Sequence, residues 1–207
     1  FKVIFLLTAL AVSVVSSSYF KDDEPHQAEY YVLLLSSVLG MLITASANDF
    51  LTIFIGIELS AFSSYGLVAF RKKDDKSTEA GAKYLLIGAF SSALTLYGIS
   101  LLYALTGSVT FEGVNAFLTG LENGVIDGNF NELIFISSLF IIGGLGFKIA
   151  VVPFHAWAPD VYEGAPAPVT ALLAAASKAM GFVALLKVFI FTLEPFAEEW
   201  KLVLGII

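Results

Sequence analysis

The 207-residue sequence contains no cysteine and only two histidines, and charged residues make up just 14% of it. Without cysteine, the chain cannot form disulfides, cysteine-ligated iron–sulfur clusters or thiolate metal sites. Soluble domains carry about 25% charged residues, so this chain has too few to cover a folded surface in water. An ordinary soluble enzyme and a disordered chain are thereby excluded. The net charge of −7 argues independently against a nucleic-acid partner.

Sequence motifs for cofactors are also absent. The chain has no G-x-G-x-x-G, no Walker loop and no H-E-x-x-H, and the glycines at 143, 144 and 146 lack the spacing of a phosphate-binding loop. His26 and His155 do not form a pair of helix-borne haem ligands. We therefore expect no cofactor and no metal on this chain, and any redox groups of a parent complex to lie on other subunits.

Apolar residues dominate what is present. Hydrophobic residues make up 57% of the chain and its mean hydropathy is +0.85. Their runs are continuous, unlike the alternating ten-residue segments of a membrane β-barrel, and many reach the roughly 20 residues that cross a bilayer as a helix. The sequence predicts an all-α, multi-pass integral membrane protein in contact with the lipid bilayer.

The apolar runs predict six helices and the start of a seventh, in a single transmembrane domain covering 1–207. Because the chain lacks an initial Met and ends inside an apolar run, we expect it to be a piece of a longer polypeptide. The connection 106–131 is rich in Gly and Asn, and we predict it to be a loop. The spans are predicted at about 1–20, 30–47, 50–70, 82–105, 132–152, 168–193 and 200–207.

The basic residues of the short loops predict the orientation. Arg71, Lys72, Lys73 and Lys76 cluster in the 71–81 loop, whereas 106–131 and 193–199 contain no lysine or arginine. Positive charge in short loops favours the cytoplasmic side. We expect loop 71–81 to face the cytoplasm and 106–131 to face the outside.

Three charged residues lie deep within apolar runs. Glu58 is about 13 Å from one end of its predicted helix and about 20 Å from the other, at 1.5 Å per residue. Lys148 and Lys178 are also central, and an ionised side chain at that depth costs at least about 2.5–3.5 kcal/mol. One carboxylate cannot fully compensate two ammonium groups, and desolvation disfavours the charged form of the surplus lysine. We predict that these residues carry protons, the alternative being an ion pair that only pins two helices together.

The region around Lys148 suggests a broken helix. Gly143, Gly144 and Gly146 precede the lysine and several prolines follow it, the first being Pro153. Irregular backbone at membrane depth lines a cavity or is buried in protein, as at transporter ion sites. A helix that simply ends near Pro153 remains the alternative. His155, two residues further on, is a candidate proton relay or a structural hydrogen-bonding group.

Two further lysines lie near predicted helix ends. Lys187 is expected to extend toward the membrane interface. Lys83 could do the same beside the basic loop, and the residues alone do not separate that interpretation from a role in proton transfer.

Three segments resemble the N subunits of respiratory complex I, the antiporter-like proton-translocating family. They are SANDFLTIFIGIELSAFSSYGLVAF (Ser46–Phe70), EAGAKYLLIGAFSSALTLYG (Glu79–Gly98) and GLGFKIAVVPFHAWAPDVYEGAPAPVTALLAAASKAMGF (Gly144–Phe182). The resemblance implies a multi-helix bundle built from two inverted five-helix repeats, of which this chain holds one half, with a discontinuous helix at residues 132–152.

The resemblance also implies roles. Glu58 matches the glutamate that modulates the key lysine, Lys148 the lysine at the helix break, and Lys178 the central lysine of the following helix. Lys83 matches a further relay lysine, and His155 the histidine after the break. Function is then proton translocation coupled to quinone reduction in an NADH–quinone oxidoreductase of the inner cell membrane.

Several expectations and alternatives accompany this interpretation. Quinone, flavin and iron–sulfur clusters are expected on partner subunits, and the partners are other antiporter-like and small hydrophobic membrane subunits. One rival is a subunit of an Mrp-type Na⁺/H⁺ antiporter, which uses the same lysine–glutamate device without electron transfer. The other is a non-transporting membrane scaffold whose buried charges only fix helix packing.

Overall fold

Long apolar helices make up most of the computed structural model, which describes residues 1–20, 26–126, 128 and 130–206. Among these residues, six helices are long and apolar enough to cross a membrane. The six are α1 (Lys2–Tyr19), α2 (Gln27–Ser46), α3 (Phe50–Val68), α4 (Asp75–Thr106), α6 (Asn131–Ile149) and α8 (Ala167–Ile190). Shorter helices are α5 (Phe111–Glu122), α7 (Ala158–Gly164) and α9 (Ala197–Ile206).

The turn between α2 and α3 is as tight as the sequence predicts. Asp49 is the N-cap of α3, and its carboxylate accepts hydrogen bonds from the Thr52 backbone N–H and hydroxyl, each at 2.7 Å. A capping carboxylate satisfies a backbone donor that the helix start leaves free. Two residues, Ala47 and Asn48, therefore suffice between the end of α2 and the capping residue.

Glycines allow α2 and α3 to pack closely. A Cβ on Gly40 would lie 2.5 Å from the Gly56 carbonyl oxygen, and one on Gly56 would lie 2.5 Å from Thr44 Oγ1. In lipid the hydrophobic effect does not drive helices together, because lipid tails are as apolar as the helices. Helices associate there mainly through close packing at small residues. The two helices thus form a rigid pair that carries Glu58 on α3.

Helix α4 begins earlier than the predicted residue 82. The Asp74 carboxylate caps it by accepting from the Lys76 N–H at 3.1 Å, and the helix runs for 32 residues. At 1.5 Å per residue it is about 48 Å long, well beyond the roughly 30 Å of hydrocarbon. The predicted start marks where charged residues end and the apolar run begins. The helix itself extends beyond that point.

The predicted loop 106–131 contains a helix, so the prediction of a simple connection is wrong. Helix α5 is capped by Thr110, whose hydroxyl accepts from the Gly113 N–H at 3.1 Å. Val114 and Leu118 lie one helical turn apart and are fully buried, whereas Glu122 is exposed. Because only one face is apolar, α5 lacks the continuous run by which the spanning helices were recognised.

The fifth apolar run ends three residues before the predicted Val152. Helix α6 stops at Ile149 because Ala150 adopts the left-handed conformation, with φ 58° and ψ 48°. The backbone then turns from 150 to 157 and resumes as α7. The expected discontinuity therefore lies after Lys148, and the three glycines before it are in regular helix.

The remaining predicted spans differ by a few residues from the observed helices. Helix α8 covers Ala167–Ile190 rather than 168–193 and contains two π-helical turns, Leu173–Ser177 and Leu186–Ile190. Helix α9 starts at Ala197, three residues before the predicted 200, and Ile207 lies outside the described residues. The predicted spans 1–20 and 30–47 correspond to α1 and α2.

Candidate functional site

Glu58 lies near the middle of α3, half-buried, where it faces α4. Its Oε1 accepts a hydrogen bond of 2.5 Å from the Ser92 hydroxyl. Ser92 is midway along the long helix α4, so the bond joins the centres of two spanning helices. The hydrogen bond gives the carboxyl group a partner at a depth where an unpaired polar group is costly.

Lys148 occupies the last turn of α6 and is only 4% exposed. The Trp157 indole Nε1–H donates to the Phe147 carbonyl at 3.0 Å, which satisfies one of the free carbonyls at the helix end. The Lys148 Nζ lies 5.9 Å from the centre of the Tyr84 ring. An ammonium near an aromatic face is attracted by the electron-rich ring.

A single cavity joins Glu58 and Lys148. It is small, with a volume of about 10 Å³ or room for about one water molecule, and its walls come from α3, α4 and α6. Among the residues that the structure describes, no carboxylate lies within 4.0 Å of the Lys148 ammonium nitrogen. The glutamate is thus held by Ser92 and the lysine by Tyr84, with the two charged groups facing a common space without an ion-pair contact.

Lys178 lies further along, in α8, immediately after the π-helical turn Leu173–Ser177. It is half-buried, and its Nζ is 5.7 Å from the centre of the Tyr162 ring. The two lysines are joined by an aromatic row, which we define as Tyr84, Trp157 and Tyr162. Trp157 stacks on Tyr84 with ring centres 4.7 Å apart and meets Tyr162 edge-on at 5.9 Å.

Lys83 and His155 do not join this group. Lys83 is substantially exposed and pairs with Glu79 at 2.7 Å and Asp160 at 2.6 Å. These ion pairs line a charged cavity of about 140 Å³ between the start of α4 and α7. The His155 side chain is exposed in the loop between α6 and α7.

Lys187 reaches the end of a neighbouring spanning helix. Its Nζ donates to the carbonyl of Ala47, the residue that follows α2, at 2.5 Å, and its extension toward the membrane interface stays a prediction. The free carbonyls of a helix C-terminus are natural partners for a cation. This lysine therefore has a structural contact remote from the Glu58 cavity.

Sequence reasoning did not identify Ser92, Tyr84 or Tyr162. Serine and tyrosine are common in membrane helices. The spacing of Ser92, Tyr84 and Tyr162 does not distinguish them from other serines and tyrosines, such as Ser100 and Tyr97 on the helix that carries Ser92. A central serine on a helix neighbouring a buried glutamate would have been a usable signal for Ser92. Tyr84 and Tyr162 become evident only when the helices are assembled.

The geometry defines a membrane helix bundle with ionisable side chains in its interior, and comparison with known proteins identifies its family. Residues 47–207 match the family described as NADH:quinone oxidoreductase/Mrp antiporter, TM. The matched segment makes up more than half of the chain. The chain belongs to this family.

Individual relatives are consistent with that membership. The chain is 47% identical over 190 residues to NADH-quinone oxidoreductase subunit N of Desulfitobacterium hafniense, which covers 92% of this chain and 37% of the relative. It is 41% identical over 201 residues to F(420)H(2) dehydrogenase subunit N of Methanosarcina mazei, covering 97% and 39%. The chain thus spans about two fifths of the length of these relatives.

A solved structure has the same fold. A chain of respiratory complex I from Thermus thermophilus superimposes with a TM-score of 0.74 at 33% sequence identity, covering 90% of this chain and 38% of that one. The all-α antiporter-like architecture predicted from the sequence is confirmed.

Proposed function

We propose that the chain forms part of a proton-translocating membrane subunit of an NADH–quinone oxidoreductase of the complex I type. Redox energy released on other subunits would drive protons through Glu58, Lys148 and Lys178. The observation that supports this proposal most directly is the cavity lined by both Glu58 and Lys148, in which the two side chains make no ion-pair contact. The family and the named relatives support the same assignment.

The proposed proton path begins at the end of the bundle that carries loop 71–81. The charged cavity at Lys83 and Asp160 opens at this end, and Lys83 directly precedes Tyr84, whose ring faces Lys148. Carboxylates and lysines at such a mouth can collect protons from water. We place proton uptake at this charged cavity. Lys83 then acts in proton uptake and not in the transfer between Lys148 and Lys178.

Proton transfer follows from the separation of Glu58 and Lys148. When the carboxylate approaches, it stabilises the Lys148 ammonium by Coulomb attraction, and when it returns to Ser92 that stabilisation falls. A buried ammonium without a contacting carboxylate is costly, and passing its proton to Lys178 relieves the cost. Opening and closing the pair thus moves a proton from one lysine to the next.

Replacing Lys148 or Glu58 by alanine in the assembled complex tests this function. We expect fewer protons pumped per electron, because each change removes one half of the pair. Lys72→Ala, an exposed lysine of the 71–81 loop, is the matched control and should pump normally. Full pumping by both Lys148→Ala and Glu58→Ala complexes would contradict the proposal.

Two other functions make different predictions. A subunit of an Mrp-type antiporter, which the family description also includes, would not co-purify with iron–sulfur subunits and would exchange Na⁺ for H⁺. A membrane scaffold predicts that Lys178→Met leaves turnover and pumping intact while it lowers assembly. Under our proposal, Lys178→Met complexes assemble and fail to pump at the normal ratio.

The proposed function also predicts the membrane, the orientation and the neighbouring subunits of the chain. We place it in the inner cell membrane with loop 71–81 in the cytoplasm, beside other antiporter-like and small hydrophobic subunits. Quinone, flavin and iron–sulfur clusters would be held by partner subunits. Isolating the complex in mild detergent and identifying its subunits and prosthetic groups tests this arrangement directly.

A further inference from the structure

The aromatic row physically connects the two central lysines. Lys148 faces Tyr84 at one end and Lys178 faces Tyr162 at the other, with Trp157 between the two tyrosines. Each ammonium therefore has an aromatic ring within 6 Å. Such rings attract a charged lysine without supplying a counter-ion that would trap it.

Tyr162 has an unusual hydroxyl. Its Oη is buried, yet within the described part of the chain it is the one buried side-chain nitrogen or oxygen without a hydrogen-bond partner. Buried hydroxyls are normally paired, because leaving one unpaired costs about 1–3 kcal/mol. A buried hydroxyl beside a lysine that exchanges protons therefore points to a hydrogen bond with a mobile group rather than with the protein.

The backbone around Tyr162 fixes where this hydroxyl lies. Helix α7 packs so closely on α4 that a Cβ on Gly164 would be 2.5 Å from both the Ala80 Cβ and the Lys76 carbonyl oxygen. The Thr170 hydroxyl donates to the Tyr162 carbonyl at 3.3 Å and ties α7 to the start of α8. The ring is thus held between the element after the helix break and the helix that carries Lys178.

We propose that Tyr162 is a positioning residue, whose hydroxyl holds the water molecule through which a proton passes between Lys148 and Lys178. The Tyr162 hydroxyl accepts one hydrogen bond and donates another, and it keeps its own proton. The water accepts a proton from the ammonium of one lysine and gives a proton to the neutral amine of the other lysine. This inference depends on the proposed function, because it concerns one step of the same proton path.

Tyr162→Phe in the full-length chain, within the assembled complex, tests the inference. This change removes only Oη and keeps the ring that faces Lys178. We expect pumping-coupled turnover per assembled complex to fall by roughly two- to tenfold, the effect of losing one hydrogen bond between neutral groups. The slowed proton step should also raise the ratio of turnover in H₂O to turnover in D₂O, which a purely structural role would not change.

Tyr97→Phe provides the matched control. Tyr97 is 53% exposed on the outer face of α4, so its hydroxyl has no place in the proton path. Wild-type turnover and isotope ratio in Tyr162→Phe, with impaired pumping in Lys178→Met, would overturn the role of Tyr162 and leave the proposed function standing. Normal pumping in Lys148→Ala and Lys178→Met would overturn both.

Discussion

At the scale of single residues, the arrangement around Glu58 indicates a carboxylate with two competing partners. Ser92 holds it at 2.5 Å, whereas Lys148 lies across the shared cavity. A hydrogen bond to a charged group contributes about 1.5–3 kcal/mol, which corresponds to roughly a ten- to hundredfold change in an equilibrium constant. If Glu58 alternates between the two partners as proposed, we expect the Ser92 hydrogen bond to set how often it turns toward Lys148.

Ser92→Ala should shift that balance toward the Glu58–Lys148 ion pair. A lasting pair would hold the proton on Lys148, so we expect pumping-coupled turnover to fall by roughly tenfold with normal assembly. Turnover of the assembled complex measures the effect. Ser100→Ala is the control, because the exposed Ser100 hydroxyl donates to the Tyr97 carbonyl of its own helix. Unchanged turnover in Ser92→Ala would show that Ser92 does not regulate the pair.

Charge in an apolar run was enough to single out Glu58, Lys148 and Lys178 in the sequence. Ionisable groups are rare at that depth, so each is conspicuous without a structure. Lys83 could not be assigned in this way, because its depth depends on where α4 begins. Tyr162 could not be identified at all, since a missing hydrogen bond is a property of the assembled fold and not of the residue.

At the scale of helices, the contact between α6 and α4 positions Lys148. Ser91 on α4 donates to the Gly144 carbonyl at 2.7 Å, and a Cβ on Gly144 would lie 1.8 Å from Thr95 Oγ1. No side chain fits there without separating the helices. The glycines that suggested a helix break in the sequence therefore include one that brings two regular helices together.

Gly144→Ala should destabilise the protein by about 1–3 kcal/mol, the usual cost of overpacking. The measurement is the thermal unfolding midpoint of the detergent-purified protein, together with complex assembly. Gly143→Ala is a close control, because its Cβ would meet the Phe154 ring at 3.4 Å and Leu94 Cδ1 at 3.7 Å, both ordinary contact distances. Equal stability of the two variants would contradict this account of the helix contact.

The end of α6 offers a stabilising change. Ala150 has a left-handed backbone, which costs a residue with a Cβ about 1–2 kcal/mol and costs glycine little. Ala150→Gly should raise the unfolding midpoint, with a gain of about 0.5–1 kcal/mol after the greater flexibility of unfolded glycine is deducted. Ala104→Gly, at an exposed position within α4, should lower the midpoint instead. A lower midpoint for Ala150→Gly would contradict the prediction.

Helix existence could be predicted from the sequence wherever an apolar run exceeds the membrane thickness. Boundaries could not, because hydropathy reports the edge of the bilayer and α4 continues beyond it under the cap of Asp74. Helix α5 was missed because an amphipathic surface helix has no long run. Its buried Val114 and Leu118, four residues apart, are the signal that a search for helical periodicity would have found.

At the scale of the whole molecule, the bundle has two chemically different ends. One end carries the basic residues 71–76, the start of α4 and the ion pairs Lys76–Glu163 and Lys83–Asp160. The other carries the end of α4 and helix α5, and the segment 106–131 contains no lysine or arginine. Because α4 is an uninterrupted helix long and apolar enough to cross a membrane, we expect these two ends to lie on opposite sides of the bilayer.

That asymmetry predicts which end faces the cytoplasm, and the absence of cysteine in these 207 residues makes the prediction simple to test. Thr78→Cys and Asn123→Cys place single thiols at exposed positions near the two ends while preserving every charge. We expect a membrane-impermeant thiol reagent to label Asn123→Cys in right-side-out vesicles and Thr78→Cys only in inverted ones, because the basic loop should remain in the cytoplasm. Wild-type vesicles correct for thiols elsewhere in the complex. The reverse labelling pattern would invert the bundle, and the charged cavity beside Lys83 would then open away from the cytoplasm and could not take up the pumped proton.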